Sequence, residues 1–114
     1  MCAGHYKLDN LTIFIDFNGL QIDGNITDVM NPTPIDKKFE AFGWNVLVID
    51  GHNFDEIQDA IDKAKQFKGK PTAIVSKTIK GKGVSFMEGE AKWHGTAPCI
   101  EECNCAIKEL GGEN

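Results

Sequence analysis

Apolar residues are distributed along the chain in two patterns that alternate with each other. Short unbroken apolar runs predict three β-strands, at residues 11–15, 44–49 and 72–76. An unbroken run of this kind is typical of a strand that is buried on both faces of a parallel sheet, and we expect this of residues 11–15. The long segment after the first strand, residues 16–32, is rich in Asn, Gly and Asp and is predicted to be a loop.

Between the predicted strands, apolar residues recur at helical spacing. Thr33 followed by Pro34 predicts the start of a helix, with Thr33 as the N-cap and proline at the first helical position. Gly43 predicts a left-handed cap that ends this helix. The apolar face of the helix is predicted to consist of Ile35, Phe39 and Phe42.

The next helix has the clearest start signal in the chain, because Asn53 and Glu56 have the spacing of a capping box. Gly69 and Pro71 end it. Its buried stripe is predicted to consist of Ile57, Ala60, Ile61, Ala64 and Phe67. A last helix is predicted over residues 98–110, with an inner face formed by Ile100, Cys103, Ile107 and Leu110. Near the N-terminus, His5, Tyr6 and Leu8 suit the final turn of a further helix.

Strands that alternate with helices predict an α/β fold with a parallel sheet and right-handed crossovers. Three strands correspond to part of a doubly wound sheet, since the typical sheet of such folds has about five or six. A chain of 114 residues is long enough for one small domain. We therefore assign residues 1–114 to a single, partial doubly wound domain.

Charge and composition restrict the classes of partner. A formal net charge of -5 and a pI near 5.1 disfavour binding to nucleic acid, which needs clustered positive charge. No apolar run approaches the roughly 20 residues of a membrane span, and the N-terminus lacks the order of a secretory signal. These features predict a cytoplasmic protein with no nucleic-acid partner and no membrane partner.

Four cysteines raise the question of a metal site or a disulfide. Cys99, Cys103 and Cys105 have the spacing C-x3-C-x-C, which matches no common zinc motif. On a helix, Cys99 and Cys103 share a face while Cys105 points away from it, so three thiolates cannot converge on one ion. We predict that these three cysteines and Cys2 are free, reduced thiols.

Residues 16–24 contain the side chains that are candidates for binding a phosphate or a cation. Asp16, Asn18 and two glycines directly follow a predicted strand, where α/β proteins bind phosphates. Carboxylate and amide oxygens are ligands for a hard cation, and glycine lets the backbone approach a ligand closely. Lys77 and Lys80 could attract phosphate, but loop lysines are more simply interpreted as solvated.

Six segments together resemble the diphosphate-binding domain of transketolase, in the right order and over nearly the whole chain. The resemblance is closest to the separate N-terminal subunit found where transketolase is split into two polypeptides. The segments are GHYKLDNL (4–11), DFNGLQIDG (16–24), FGW (42–44), DGH (50–52), KTIKGKG (77–83) and WHG (93–95).

The resemblance implies a thiamine diphosphate and Mg²⁺ site. The Asn18 side-chain oxygen and the Leu20 backbone carbonyl correspond to Mg²⁺ ligands, and Gly19 lies between them in the cofactor-binding segment. His94 corresponds to a histidine beside the cofactor diphosphate and the reacting centre, which implies both a cofactor-binding and a catalytic role. His5 and His52 are interpreted as structural.

The resemblance further implies a transferase of the pentose phosphate pathway that moves a two-carbon ketol unit between sugar phosphates. Its partner is a C-terminal subunit with the pyrimidine-binding domain, and the pair is expected to form a homo-oligomer. The Gly-Asp-Gly stretch that opens the family's cofactor motif is not in this sequence. We therefore expect a fragment that is inactive alone and that resembles only the C-terminal portion of the split N-terminal subunit.

Three alternatives remain open at this stage. The chain could be a non-catalytic binding or regulatory module, or an inert remnant. It could also come from a related thiamine diphosphate enzyme such as a deoxyxylulose phosphate synthase. The sequence does not decide the sugar substrates.

Overall fold

The computed structural model describes residues 1–112. Within these residues, the helices are α1 (Cys2–His5), α2 (Ile26–Val29), α3 (Ile35–Ala41), α4 (Phe54–Gln66) and α5 (Ile100–Glu109), with one 3₁₀ turn at Ala91–Trp93. The strands are β1 (Thr12–Phe17), β2 (Leu20–Gln21), β3 (Gly24–Asn25), β4 (Asn45–Asp50) and β5 (Thr72–Lys77). None of these helices is long and apolar enough to cross a lipid bilayer.

The chain divides into two compact units. The first unit comprises Met1–Phe17 and Pro32–Thr78, and the second comprises Asn18–Asn31 and the residues from Ile79 onward. The three longer strands belong to the first unit, and the short strands β2 and β3 belong to the second.

The first unit is built on a parallel sheet with the strand order β1-β5-β4. In this register Ile74 of β5 lies between Phe14 of β1 and Leu47 of β4. Residues 72–76 of the central strand are all buried, and Ile74 is fully inaccessible to solvent. The predicted α/β fold with a parallel sheet is confirmed, with strand ends that differ by one or two residues from those predicted.

Strand β1 is not buried on both faces, and that prediction is wrong. Thr12, Phe14 and Asp16 are exposed, with Phe14 at 50%, whereas the residues that alternate with them are partly buried. The reason is that β1 lies at the edge of this sheet, whereas helices α3 and α4 pack against β4 and β5.

Helix α4 confirms Asn53 as the predicted N-cap, whereas the Asn53 backbone N–H donates to the Asp50 carbonyl at 3.2 Å and not to Glu56 as in a complete capping box. The Asn53 side chain accepts from the backbone N–H groups of Asp55 and Glu56, at 3.0 and 3.3 Å. The Glu56 carboxylate accepts from the backbone N–H of Asp50 at 2.8 Å and from the Asn53 side-chain amide at 3.1 Å. The start of α4 is thus tied to the end of β4.

The stripe of α4 forms the main core cluster. Ala60 and Ala64 are buried and pack with Ile49 and Ile74 of the sheet, and Leu47 and Ile57 pack against this cluster. Phe67 is an exception, since it follows the last helical turn and is exposed.

Helix α3 begins one residue later than predicted. Pro34, not Thr33, occupies the N-cap position, and it makes no side-chain cap hydrogen bond because proline carries no side-chain acceptor. The end of the helix is as predicted, because Gly43 has a φ of 83° in the left-handed region. Phe39 packs edge to face on Trp44 at a centroid distance of 5.2 Å, whereas Phe42 is exposed.

The second unit differs from the prediction in two elements. The segment predicted as a loop contains a β2–β3 hairpin and the single turn α2. Helix α5 does not bury the predicted face, because Ile100 is 75% exposed, Leu110 is 63% exposed and Cys103 is also exposed. Only Ile107 of that set is partly buried. The four cysteines of the chain are free and exposed.

Candidate functional site

A short hairpin follows β1 directly in the chain. Leu20 of β2 pairs with Asn25 of β3, and Gln21 pairs with Gly24, which leaves Ile22 and Asp23 as the two turn residues. The pairing continues one residue further, because the Ile26 N–H donates to the Gly19 carbonyl at 3.0 Å. Gly19 itself has a φ of 77°, a conformation that suits glycine.

Asn18 and Leu20 are joined across this turn. The Leu20 N–H donates to Asn18 Oδ1 at 2.9 Å. In an antiparallel ladder, hydrogen-bonded pairs alternate with non-hydrogen-bonded pairs, so the Ile26-to-Gly19 bond makes Leu20 and Asn25 a non-hydrogen-bonded pair. The N–H and the carbonyl of Leu20 therefore both face away from β3, on the side of the Asn18 amide oxygen.

A cavity of 390 Å³ lies beside the hairpin within the second unit. It is lined by Asn18, Leu20, Gln21, Ile22, Asp23, Lys80 and His94. Three of the four residues that the sequence singled out thus line one cavity, namely Asn18, Leu20 and His94. Gly19, the fourth, is part of the adjoining turn but is not among the lining residues.

Lys80 is the functional candidate that the sequence analysis undervalued. It was interpreted as a solvated loop lysine, but it is half-buried and lines the cavity. Lys77, by contrast, is exposed at the end of β5 in the first unit. Gly81 and Gly83, which follow Lys80, both have positive φ and turn the chain sharply, so the placement of Lys80 is set by the folded loop.

His94 follows the 3₁₀ turn Ala91–Trp93, and its backbone N–H donates to the Ala91 carbonyl at 2.9 Å. The preceding residue, Trp93, is anchored by its indole Nε1–H, which donates to the Phe86 carbonyl at 3.0 Å. The rings of Phe86 and Trp93 also pack edge to face at 5.6 Å. A fixed Trp93 leaves the exposed His94 side chain at the wall of the cavity.

The other two histidines belong to the first unit and are not among the lining residues of this cavity. His5 is in α1, where its ring packs edge to face on Tyr6 at 5.0 Å. The backbone N–H of His52 donates to Asp50 Oδ1 at 2.9 Å in the turn before α4. Their predicted structural roles are consistent with these contacts.

The lining groups fit a phosphorylated ligand with a hard cation. An amide oxygen and a backbone carbonyl are oxygen ligands of the kind that Mg²⁺ takes. The lysine ammonium and the histidine imidazole can donate hydrogen bonds to phosphate oxygens. Asn18 Oδ1 keeps a second lone pair after it accepts from Leu20. No cluster of three or more His, Cys, Asp or Glu side chains that could hold a metal occurs in the described part of the chain.

Known proteins are similar to this chain in sequence and in fold. The family described as "Transketolase, thiamine diphosphate binding domain" matches residues 1–114. The chain is 45% identical over 113 residues to a 6-deoxy-6-sulfo-D-fructose transketolase subunit of Clostridium sp. (strain MSTE9), and the match covers 99% of this chain. It is 41% identical over 110 residues to an apulose-4-phosphate transketolase subunit of Phocaeicola vulgatus, and that match covers 96% of this chain.

The chain spans 41% of the length of the Clostridium protein and 39% of the length of the Phocaeicola protein. Among solved structures, transketolase of Campylobacter jejuni superposes with a TM-score of 0.88 at 36% identity, over 98% of this chain and 17% of that chain. The resemblance carried by the six sequence segments is therefore confirmed. The chain belongs to the transketolase family and represents its thiamine diphosphate-binding domain.

Proposed function

We propose that this chain forms the diphosphate-binding side of a transketolase that uses thiamine diphosphate and Mg²⁺ to move a two-carbon ketol unit between sugar phosphates. The observation that supports this most directly is the cavity that brings Asn18, Leu20, Lys80 and His94 together. Residues 1–114 act in this proposal as a single, partial cofactor-binding domain.

In this proposal Asn18 Oδ1 and the Leu20 carbonyl hold Mg²⁺. Support comes from the hairpin, which directs both oxygens to the same side, and from the preference of Mg²⁺ for oxygen ligands. Gly19 between them has no side chain, so the diphosphate can approach the backbone closely.

Lys80 and His94 serve the anionic part of the ligand. The Lys80 ammonium neutralises and binds phosphate oxygens, and the His94 imidazole donates to a phosphate oxygen or exchanges a proton with the substrate. When bound, thiamine diphosphate supplies a nucleophilic carbon and an electron sink. The chain's own contribution is to orient that cofactor and to hold its charge.

The relatives support an enzyme built from two different polypeptides, since both are named as subunits of a transketolase. We propose a partner subunit that carries the pyrimidine-binding domain, a homo-oligomer of the pair, and a cytoplasmic location. The substrates proposed are ketose phosphates or similar anionic sugars, because the two relatives are named for apulose-4-phosphate and 6-deoxy-6-sulfo-D-fructose.

The Mg²⁺ assignment is tested by titrating the ¹⁵N-labelled chain with thiamine diphosphate in the presence and absence of Mg²⁺. We expect weak, Mg²⁺-dependent binding with chemical shift changes at Leu20, Lys80 and His94, because two protein oxygens satisfy only part of the octahedral Mg²⁺ shell. Asn18→Ala should weaken this binding about tenfold or more, since it removes a metal ligand and the acceptor for Leu20 N–H.

Two further variants sharpen the test. Asn18→Asp keeps an acceptor for the Leu20 N–H and adds charge, so it should retain binding. Asn25→Ala removes an exposed amide from the opposite strand of the same hairpin and should leave binding unchanged. Binding that is independent of Mg²⁺, or equal effects of Asn18→Ala and Asn25→Ala, would contradict the proposal.

A further inference from the structure

The loop of residues 80–89, here called the lysine loop, is closed on itself. Its ends are joined by the Gly89 N–H, which donates to the Lys80 carbonyl at 2.9 Å. Inside it, the Gly83 N–H donates to Glu88 Oε1 at 2.9 Å, and the Lys82 ammonium lies 3.5 Å from the same oxygen. The backbone that carries Lys80 is therefore part of a small closed structure.

The C-terminal end of helix α5 contacts this loop through the Glu109 side chain, and Leu110 lies beside Gly83 of the loop. The carboxylate of Glu109, the last residue of α5, accepts from the Ser85 backbone N–H at 2.5 Å and from the Ser85 hydroxyl at 2.8 Å. These two hydrogen bonds, first the backbone one and then the hydroxyl one, lower the pKa of Glu109 below its usual value. The carboxylate therefore stays ionised at neutral pH and keeps both bonds.

The residue that Glu109 holds is next to the anchor of His94. Phe86, which follows Ser85, accepts the indole N–H of Trp93 and packs against its ring. His94 follows Trp93 in the chain, and Lys80 begins the lysine loop. Lys80 and His94 in the cavity wall thus both depend on the placement of one loop.

We infer that Glu109 is a positioning residue: by holding Ser85 it fixes the lysine loop, and through that loop it places Lys80 and His94 for binding of the diphosphate. This inference rests on the proposed function, because it assigns a purpose to Lys80 and His94 that the proposed function gives them. Glu109 itself is not a lining residue of the cavity.

The test uses the full chain with Mg²⁺ and inorganic pyrophosphate as the probe. Binding is measured by NMR titration, and backbone hydrogen exchange is measured over residues 80–95. Glu109→Ala should weaken pyrophosphate binding about fivefold and speed exchange in residues 80–95, because charge-assisted hydrogen bonds to the loop are lost. Glu109→Gln should give an intermediate effect on both, since it keeps one carbonyl oxygen as an acceptor.

A matched control is Glu101→Ala, which removes an exposed carboxylate from the first turn of the same helix. It should leave pyrophosphate affinity and exchange in residues 80–95 at wild-type values. If Glu109→Ala fails to fold, Ser85→Ala provides the same comparison, because it removes the hydroxyl bond and keeps the backbone bond.

The possible outcomes distinguish the positioning role from the proposed function. Unchanged affinity and unchanged exchange in Glu109→Ala would overturn the positioning role and leave the proposed function standing. Absence of pyrophosphate binding by the wild-type chain would overturn the proposed function and the positioning role together. If Glu109→Gln binds pyrophosphate more tightly than Glu109→Ala does, the positioning role is supported. A purely structural role would lower the melting temperature of the variants without changing the affinity of the folded protein.

Discussion

Each of the two compact units of the chain is stabilised internally by a different kind of interaction. In the first unit, apolar side chains from α4 and the sheet surround the buried strand β5. In the described part of the second unit, the buried apolar side chains are only Ile26 and Val84. The lysine loop is held by hydrogen bonds that its glycine N–H groups and Ser85 donate, and Glu109 accepts those from Ser85. The stability of the sheet therefore depends on apolar side chains that fill its core, whereas the lysine loop depends on backbone segments that lie close together.

The largest expected effect comes from a substitution in the apolar core of the first unit. Ile74→Ala should destabilise the first unit by about 3 kcal/mol, because it leaves a cavity at a fully buried position of the central strand. Urea unfolding measures this. The control Val48→Ala, at a half-exposed position of β4, should cost less than about 1 kcal/mol. Equal losses for the two variants would contradict the volume argument.

The second prediction adds a methyl group to a crowded position instead of removing part of a core side chain. Gly81→Ala should destabilise the second unit by roughly 2 kcal/mol, because a Cβ there would lie 2.6 Å from the Met87 carbonyl oxygen and the φ of 72° disfavours alanine. Hydrogen exchange in residues 80–89 measures this loss.

Gly95→Ala is the matched control for Gly81→Ala. Its φ of 79° is similar, but a Cβ there would meet no atom within 4 Å, so only the backbone strain of about 1 kcal/mol should remain. If the two alanine variants behaved alike, close approach in the lysine loop would not be a source of its stability.

The smallest effect concerns binding and not stability. Lys80→Ala should weaken Mg²⁺-dependent pyrophosphate binding about tenfold while the melting temperature stays unchanged, because in the proposed function the ammonium binds phosphate oxygens and its loss leaves the loop backbone in place. Lys77→Ala, at an exposed position in the first unit, serves as the control with unchanged affinity. An equal loss in both variants would indicate a general charge effect.

The sequence predicted the first unit well for a physical reason. The cap of α4 is formed by residues three positions apart, and its stripe packs on a buried strand, so both features leave a periodic pattern. The edge position of β1 produces no periodic pattern in the sequence. An apolar run does not indicate how many strands or helices pack around it. Phe14 therefore is exposed where burial was predicted.

The second unit was predicted less well because its contacts are not periodic. Strands of two residues, such as β2 and β3, are too short to show alternation. Helix α5 was assigned an apolar inner face, but Ile100 and Cys103 of that face are exposed, and the helix contacts the loop in part through the polar Glu109–Ser85 pair. Asn18, Leu20 and His94 were found through the resemblance, whereas Lys80 became recognisable only once the loops were folded together.

In the proposed Mg²⁺ site, the hydrogen bond from Leu20 N–H to Asn18 Oδ1 has a consequence for how readily the ion binds. A flipped carboxamide would direct its NH₂ group at another N–H donor, so the bond locks the amide with its oxygen on the side of the Leu20 N–H. The side chain is thereby oriented before any ion arrives, and loading the ion freezes no additional rotamer. A turn of three residues thus acts as a prepared oxygen donor whose orientation is set by the backbone alone.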